Sequence, residues 1–171
     1  GFYIFENLLK DEELQDLERD LMDILKRAPV SKNADVDAQG RPALGVGHKG
    51  RTFTWVKPLA DPRGGTSEAH GRYPTKMTEP APPPGAPEHV IQVLLGTMQY
   101  SDACLRLYGH PDLLAMAATV NGDDFAPFSE GIFIKQPGLG GSVAWHQDGW
   151  THWDNPGLDE HSHGFNFMAQ L

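Results

Sequence analysis

The chain is nearly devoid of cysteine: Cys104 is the only one in 171 residues, so no intrachain disulfide can form and a disulfide-stapled scaffold is excluded. A lone thiol suits a reducing compartment, and the cytoplasm is the expected location. Long apolar runs are also missing. No stretch approaches the roughly 18 consecutive apolar residues of a spanning helix, so no membrane span is expected. Basic residues run out along the chain: 14 Lys and Arg stand against 23 Asp and Glu, a formal net charge of -9, and after Arg106 the sole basic residue is Lys135. Over that same stretch Asp112, Asp123, Asp124, Glu130, Asp148, Asp154, Asp159 and Glu160 are acidic. A nucleic-acid footprint needs clustered Lys and Arg, so nucleic acid is excluded as a partner. An acidic third of the chain either attracts a cation or only solvates loops.

What is present fits one domain over residues 1–171, with a core large enough to stand without staples. Gly1 is not Met, no signal-peptide pattern precedes it, and Leu171 ends an apolar run without a polar tail; both ends read as interior to a longer chain. Gly1 to Phe5 predicts a short strand. Asp11 predicts an N-cap, and Leu14, Leu17, Leu21, Ile24 and Leu25 recur at helical spacing, so Asp11 to Arg27 reads as an amphipathic helix. Residues 30–87 are rich in Gly, Pro, Asp and Lys, including Ala81 to Gly85 (APPPG), and predict an irregular insertion or lid around an extended piece, Thr52 to Val56. Helical signals follow at His89 to Leu95 behind Pro87, at Ser101 to Tyr108, and from Pro111 to Asn121. After Gly122 the period changes to two. Gly131 to Lys135, Ser142 to Asp148 and Phe165 to Leu171 predict strands, the first two separated by the Gly-rich turn at Pro137 to Gly141.

Chemistry concentrates in His146-Gln-Asp-Gly-Trp-Thr-His-Trp-Asp-Asn-Pro-Gly-Leu-Asp-Glu-His-Ser-His163, which holds four of the eight histidines and four carboxylates. In an extended strand His146 and Asp148 share a face, one offering an imidazole nitrogen and the other a carboxylate oxygen. That pair makes two-thirds of a two-histidine-one-carboxylate Fe(II) site. A histidine bonded to a nearby aspartate on a surface turn is the plainer explanation of the same triplet.

The surrounding residues resemble a known family. Gly131 to Gly149 (GIFIKQPGLGGSVAWHQDG), with Lys135, Pro137, Gly138, Trp145, His146, Gln147, Asp148 and Gly149, is similar to the metal-binding strand pair of the phytanoyl-CoA dioxygenase family. The opening GFYIFENLLKDEEL and the segment HPDLLAMAATVNGDDF resemble that family's first helix and the helix before its core, whereas Val30 to Pro87 is not covered by the likeness. The resemblance implies an α+β fold, a double-stranded β-helix (jelly-roll, cupin-like) core with N-terminal helices packed against it. It implies an Fe(II)- and 2-oxoglutarate-dependent dioxygenase that uses O2 to hydroxylate a small-molecule substrate, with His146 and Asp148 as metal ligands. The family's third ligand is a later histidine, followed by an arginine that pairs with 2-oxoglutarate. No arginine follows Arg106, so both are expected beyond Leu171. Family halogenases carry a small residue in place of the carboxylate, so Asp148 implies hydroxylation.

Neighbouring residues carry two readings each. Trp145 faces away from the ligands and reads as core packing. Trp150, His152 and Trp153 follow the ligands directly, where they contact substrate or merely pack a loop. Met168 and Gln170 share a strand face and line the cofactor cavity or fill core, while Phe165, Phe167 and Leu171 share the other. Lys135 meets a carboxylate of cofactor or substrate, or is a solvated strand end. A zinc hydrolase would instead combine His146, Asp148, His161 and His163, and a non-catalytic binding module would hold a cation or nothing.

Overall fold

The computed structural model describes residues 2–47, 52–59, 81–127, 129–141, 143 and 164–171. The chain divides into two compact units, one formed by Gly1–Thr52, Leu95–Gly131 and Gly164–Leu171, the other by Phe53–Leu94 and Ile132–His163.

The first unit is helical. Its first helix, α1 (Asp11–Lys26), starts at the expected cap residue itself, so the cap lies one residue earlier. Lys10 is the N-cap, because the Glu13 carboxylate reaches back to accept the Lys10 amide at 2.9 Å. Asp11 stands in the first turn with Glu12 and Glu13, where the positive end of the helix dipole favours anions. The leucine stripe faces inward: Leu17 and Ile24 are buried, and Leu14 and Leu21 are half-buried. Helix α2 (Asp102–Tyr108) packs against α1 and takes Ser101 as its N-cap, whose hydroxyl oxygen accepts the Cys104 amide at 2.9 Å. Asp20 of α1 joins this cap, accepting from the Ser101 hydroxyl at 2.8 Å and the Ala103 amide at 3.4 Å. Helix α3 (Pro111–Asn121) begins with Pro111 behind an N-capping His110, whose Nδ1 accepts the Asp112 amide.

Residues 28–44 form a second tied structure in this unit. The Asp37 side chain is wholly buried, and its Oδ1 accepts the amides of Gln39 and Arg41, both at 2.9 Å. Its Oδ2 receives the Arg41 guanidinium at 2.8 Å and that of Arg27 at 3.2 Å. Backbone bonds from Val30 to Val36, Asp37 to Arg41 and Ala43 to Asp35 close the loop around this carboxylate. A buried carboxylate persists only with such pairing, so this part of the expected irregular region is specifically built.

The three-stranded sheet, ordered β1-β2-β3, lies in the second unit except for its end residues Leu95 and Gly131. It comprises β1 (Phe53–Val56), β2 (Val90–Leu95) and β3 (Gly131–Phe133). The β1 and β2 strands are antiparallel and pair Phe53 with Leu94, Thr54 with Val93, Trp55 with Ile91 and Val56 with Val90. The helix expected over His89 to Leu95 is therefore a strand. Val90-Ile-Gln-Val-Leu-Leu95 is β-branched and apolar, and a short apolar run that is buried on both faces carries no periodicity to separate the two states. Leu94, with 0% exposure, is the most enclosed of its side chains.

Two other expected strands are absent among the described residues. Phe2, Tyr3, Ile4 and Phe5 form no strand, and Phe2 is 89% exposed. Phe165–Leu171 is likewise irregular. Alternation becomes a strand only where a neighbouring backbone completes the ladder, and the described sheet pairs with neither segment. No described helix is long and apolar enough to cross a membrane.

Two outcomes follow from this packing. Leu17→Ala should lower unfolding free energy by about 2 to 5 kcal/mol in a denaturant titration, the range for a buried leucine; a loss below about 0.5 kcal/mol would place Leu17 outside the core. Burial pushes the carboxyls of Asp20 and Asp37 up, but their hydrogen bonds outweigh it: from Ser101 and Ala103 for Asp20, from the Arg41 and Gln39 amides and the Arg41 guanidinium for Asp37. Both are held below the ordinary 3.8. A depressed folded pKa gives stability that is complete above the unfolded value and is lost as pH falls through the folded one. Stability should thus decline below about pH 4, and Asp37→Asn should be less stable than the parent at neutral pH with a shallower acid decline. An unchanged acid slope would contradict the pairing.

Candidate functional site

The described part of the candidate site is the approach to it, a turn seated on the sheet of the second unit. Residues β3 to Gly141 run GIFIKQPGLGG. The Ile134 amide donates to the Gln92 carbonyl at 2.8 Å, extending the pairing with β2 one residue past β3. The chain then reverses: the amides of Leu139 and Gly140 both donate to the Gln136 carbonyl, at 3.1 and 2.7 Å. Pro137 supplies the fixed φ of the turn, and Gly138, at φ +71, occupies the left-handed region that a side chain disfavours.

Gly141 brings this turn onto the sheet. A Cβ there would lie 2.6 Å from Val56 Cγ2 and 2.8 Å from Gln92 Nε2, closer than atoms can approach. The glycine is required because backbone rests directly on side chains of β1 and β2. Gln92 is the extra residue of a bulge: the register passes from Thr54–Val93 to Trp55–Ile91. Bulges re-aim the strand locally, and this one carries the buried Gln92 side chain against Gly141.

Lys135, read as a partner for a cofactor or substrate carboxylate, has its ammonium on protein: Nζ donates to the Gly141 carbonyl at 2.9 Å. The side chain crosses the mouth of the turn and joins its two ends. Met168 is 74% exposed and Gln170 is also exposed, as are Phe165, Phe167 and Leu171. The two faces assigned to that segment therefore have no counterpart, since a segment outside any sheet does not sort its side chains by alternation.

His146 and Asp148, together with Trp145, Trp150, His152, Trp153, His161 and His163, lie outside the described residues. So does the expected strand from Ser142 to Asp148, apart from a half-buried Val143. Among the described residues no group of three or more His, Cys, Asp or Glu is arranged to hold a metal ion. Sequence reading missed Asp37 and the seat of Gly141. The first had a signal in Asp37 standing four residues before Arg41, whereas the second depends on partners distant in the chain.

Comparison with models of known families, with curated proteins and with solved structures finds no match for this chain.

Gly141→Ala should cost about 1 to 3 kcal/mol of stability, the usual penalty for forcing a methyl group into filled space, whereas Gly138→Ala should act through backbone strain alone. Denaturant midpoints of the two variants test this. An unperturbed Gly141→Ala would mean that the turn does not rest on Val56 and Gln92.

Proposed function

We propose that the protein is a non-haem Fe(II)- and 2-oxoglutarate-dependent dioxygenase that hydroxylates a small organic substrate, built on a double-stranded β-helix. The observation that carries this reading is the order of parts in the chain. A glycine turn pinned to the sheet by Gly141 and Lys135 leads within a few residues to His146-Gln147-Asp148, the order that resembles the phytanoyl-CoA dioxygenase strand pair.

Each residue has a definite task in this reading. His146 supplies a neutral nitrogen and Asp148 an anionic oxygen, a mixed set that selects a borderline divalent metal over calcium or magnesium. Asp148 would fill a coordination position and thereby deny it to chloride, which favours hydroxylation. When bound, Fe(II) with 2-oxoglutarate and O2 supplies the oxidising power, yielding succinate and CO2. Trp150, His152 and Trp153, immediately after the ligands, are the candidates to orient substrate. Met168 and Gln170, both exposed, are the candidate cofactor neighbours, while the Lys135 ammonium is taken by the Gly141 carbonyl. The lone, buried Cys104 suits a reducing cytoplasm.

Assay of the full-length protein with Fe(II), O2, 2-oxoglutarate and candidate substrates tests the reading. The expected product is heavier by one oxygen atom, with one succinate formed alongside, whether or not chloride is present. His146→Ala should abolish iron binding and turnover. Stoichiometric zinc in the purified protein without 2-oxoglutarate turnover, or a chlorinated product, would overturn it.

A further inference from the structure

We propose that the loop closed by Asp37 holds an anion site, in which the outward edges of the Arg27 and Arg41 guanidinium groups take a phosphate group, free or carried by a small molecule. The inference stands apart from the iron reading, since every residue it uses lies in the first unit.

Asp37 fixes both arginines at once. Its side chain is wholly buried, and its Oδ2 receives the Nε–H of Arg41 at 2.8 Å and that of Arg27 at 3.2 Å, so the two guanidinium groups stand side by side on one oxygen. Each is anchored a second time through Nη2, Arg27 on the Pro42 carbonyl at 3.0 Å and Arg41 on the Gln39 side-chain oxygen at 3.1 Å. A guanidinium carries its N–H donors in a planar fork, and Nε with Nη2 forms one edge of it. In both arginines that edge is occupied by the loop. The Nη1 groups make no hydrogen bond among the described residues, and the two side chains remain 37% and 51% exposed.

Charge points the same way. From Arg27 to Leu44 the chain carries Arg27, Lys32 and Arg41 against Asp35 and Asp37, a positive segment in a chain of net charge -9. Asp37 neutralises one of the two guanidinium groups that it holds, and Asp35 forms no ion pair among the described residues. Adjacent like charges repel, and an anion on their exposed side relieves this. Holding a buried carboxylate needs only a point charge, which lysine supplies. A guanidinium fixed by one edge offers the other as a preset pair of donors. One such edge fills a carboxylate ligand, whereas the oxygens of a phosphate can accept from two neighbouring arginines.

Titration of the whole chain with inorganic phosphate at fixed ionic strength tests the site, followed by calorimetry and by the assigned arginine Nε–H signals in NMR spectra. One phosphate should bind per chain, the Arg27 and Arg41 signals should shift together, and added sodium chloride should weaken binding. Arg27→Lys and Arg41→Lys each leave a cation for Asp37 and should weaken binding about tenfold, the worth of one charged hydrogen bond; thermal melting checks that each variant folds. Glycerol phosphate bound more tightly than inorganic phosphate assigns the site to a small phosphorylated molecule, and equal or weaker binding assigns it to phosphate itself. Succinate should bind more weakly than phosphate. Absence of saturable binding, shifts confined to other arginines, parental affinity in both folded lysine variants, or succinate bound as tightly as phosphate overturns the proposal. Where a lysine variant fails to fold, the Arg27 and Arg41 signals of the parent decide alone.

Discussion

Space for a hydrogen atom and nothing larger at Gly141 is the constraint around which the second unit is arranged. Val56 from β1, Gln92 from the β2 bulge and the Lys135 side chain beyond β3 all meet that one residue. The contacts are of different kinds, steric in two cases and a hydrogen bond in the third, and they constrain different degrees of freedom. Val56 and Gln92 set how near the turn lies to the sheet, while Lys135 sets how its two ends are spaced. The bulge is part of the same solution, because the extra residue places a buried amide where a regular ladder would have put a different side chain.

The first unit is governed by carboxylates in a chain that is already acidic. Asp20 and Asp37 could be liabilities at a net charge of -9, yet Asp20 joins segments far apart in sequence and Asp37 closes a local loop onto the end of α1. Asp20 places negative charge at the start of α2, where the Ser101 hydroxyl and the Ala103 amide donate to it, and so couples the second helix to the first. Asp37 gathers two guanidinium groups and two amides inside a loop with little apolar material of its own. The exposed pairs, such as Lys26 with Asp23 at 2.8 Å, contribute little beside these, since solvent screens them. Order in this unit therefore depends on a few enclosed anions more than on its many surface ones.

How far the chain was legible follows from where its information resides. Helices α1, α2 and α3 were readable because caps, the leucine stripe and Pro111 act within one or two turns of chain. Even there the cap moved from Asp11 to Lys10, since a glutamate reaching backward can replace a capping side chain. Strand β2 was misread because an apolar run with both faces buried looks the same in either state until a partner strand is known. Phe2 to Phe5 and Phe165 to Leu171 failed for the converse reason, as strand-like composition without a described neighbour to complete the ladder. For the candidate site, His146 and Asp148 are read from residue type and two-residue spacing alone and lie outside the described residues. The seat of Gly141 was not legible, because nothing in PGLGG names Val56 or Gln92 as its partners.

The charge distribution bears on what the donors can bind. Past Arg106 the chain offers eight carboxylates and one lysine, and that lysine is turned onto a backbone carbonyl. Among the described residues past Arg106, Asp112, Asp123, Asp124 and Glu130 therefore follow the last arginine and precede the one lysine, and Glu130 is met by a neutral donor, the Thr97 hydroxyl at 2.9 Å. In the proposed reading a divalent ion held by His146 and Asp148 would add positive charge to this acidic stretch, whereas carboxylates that only solvate loops need none.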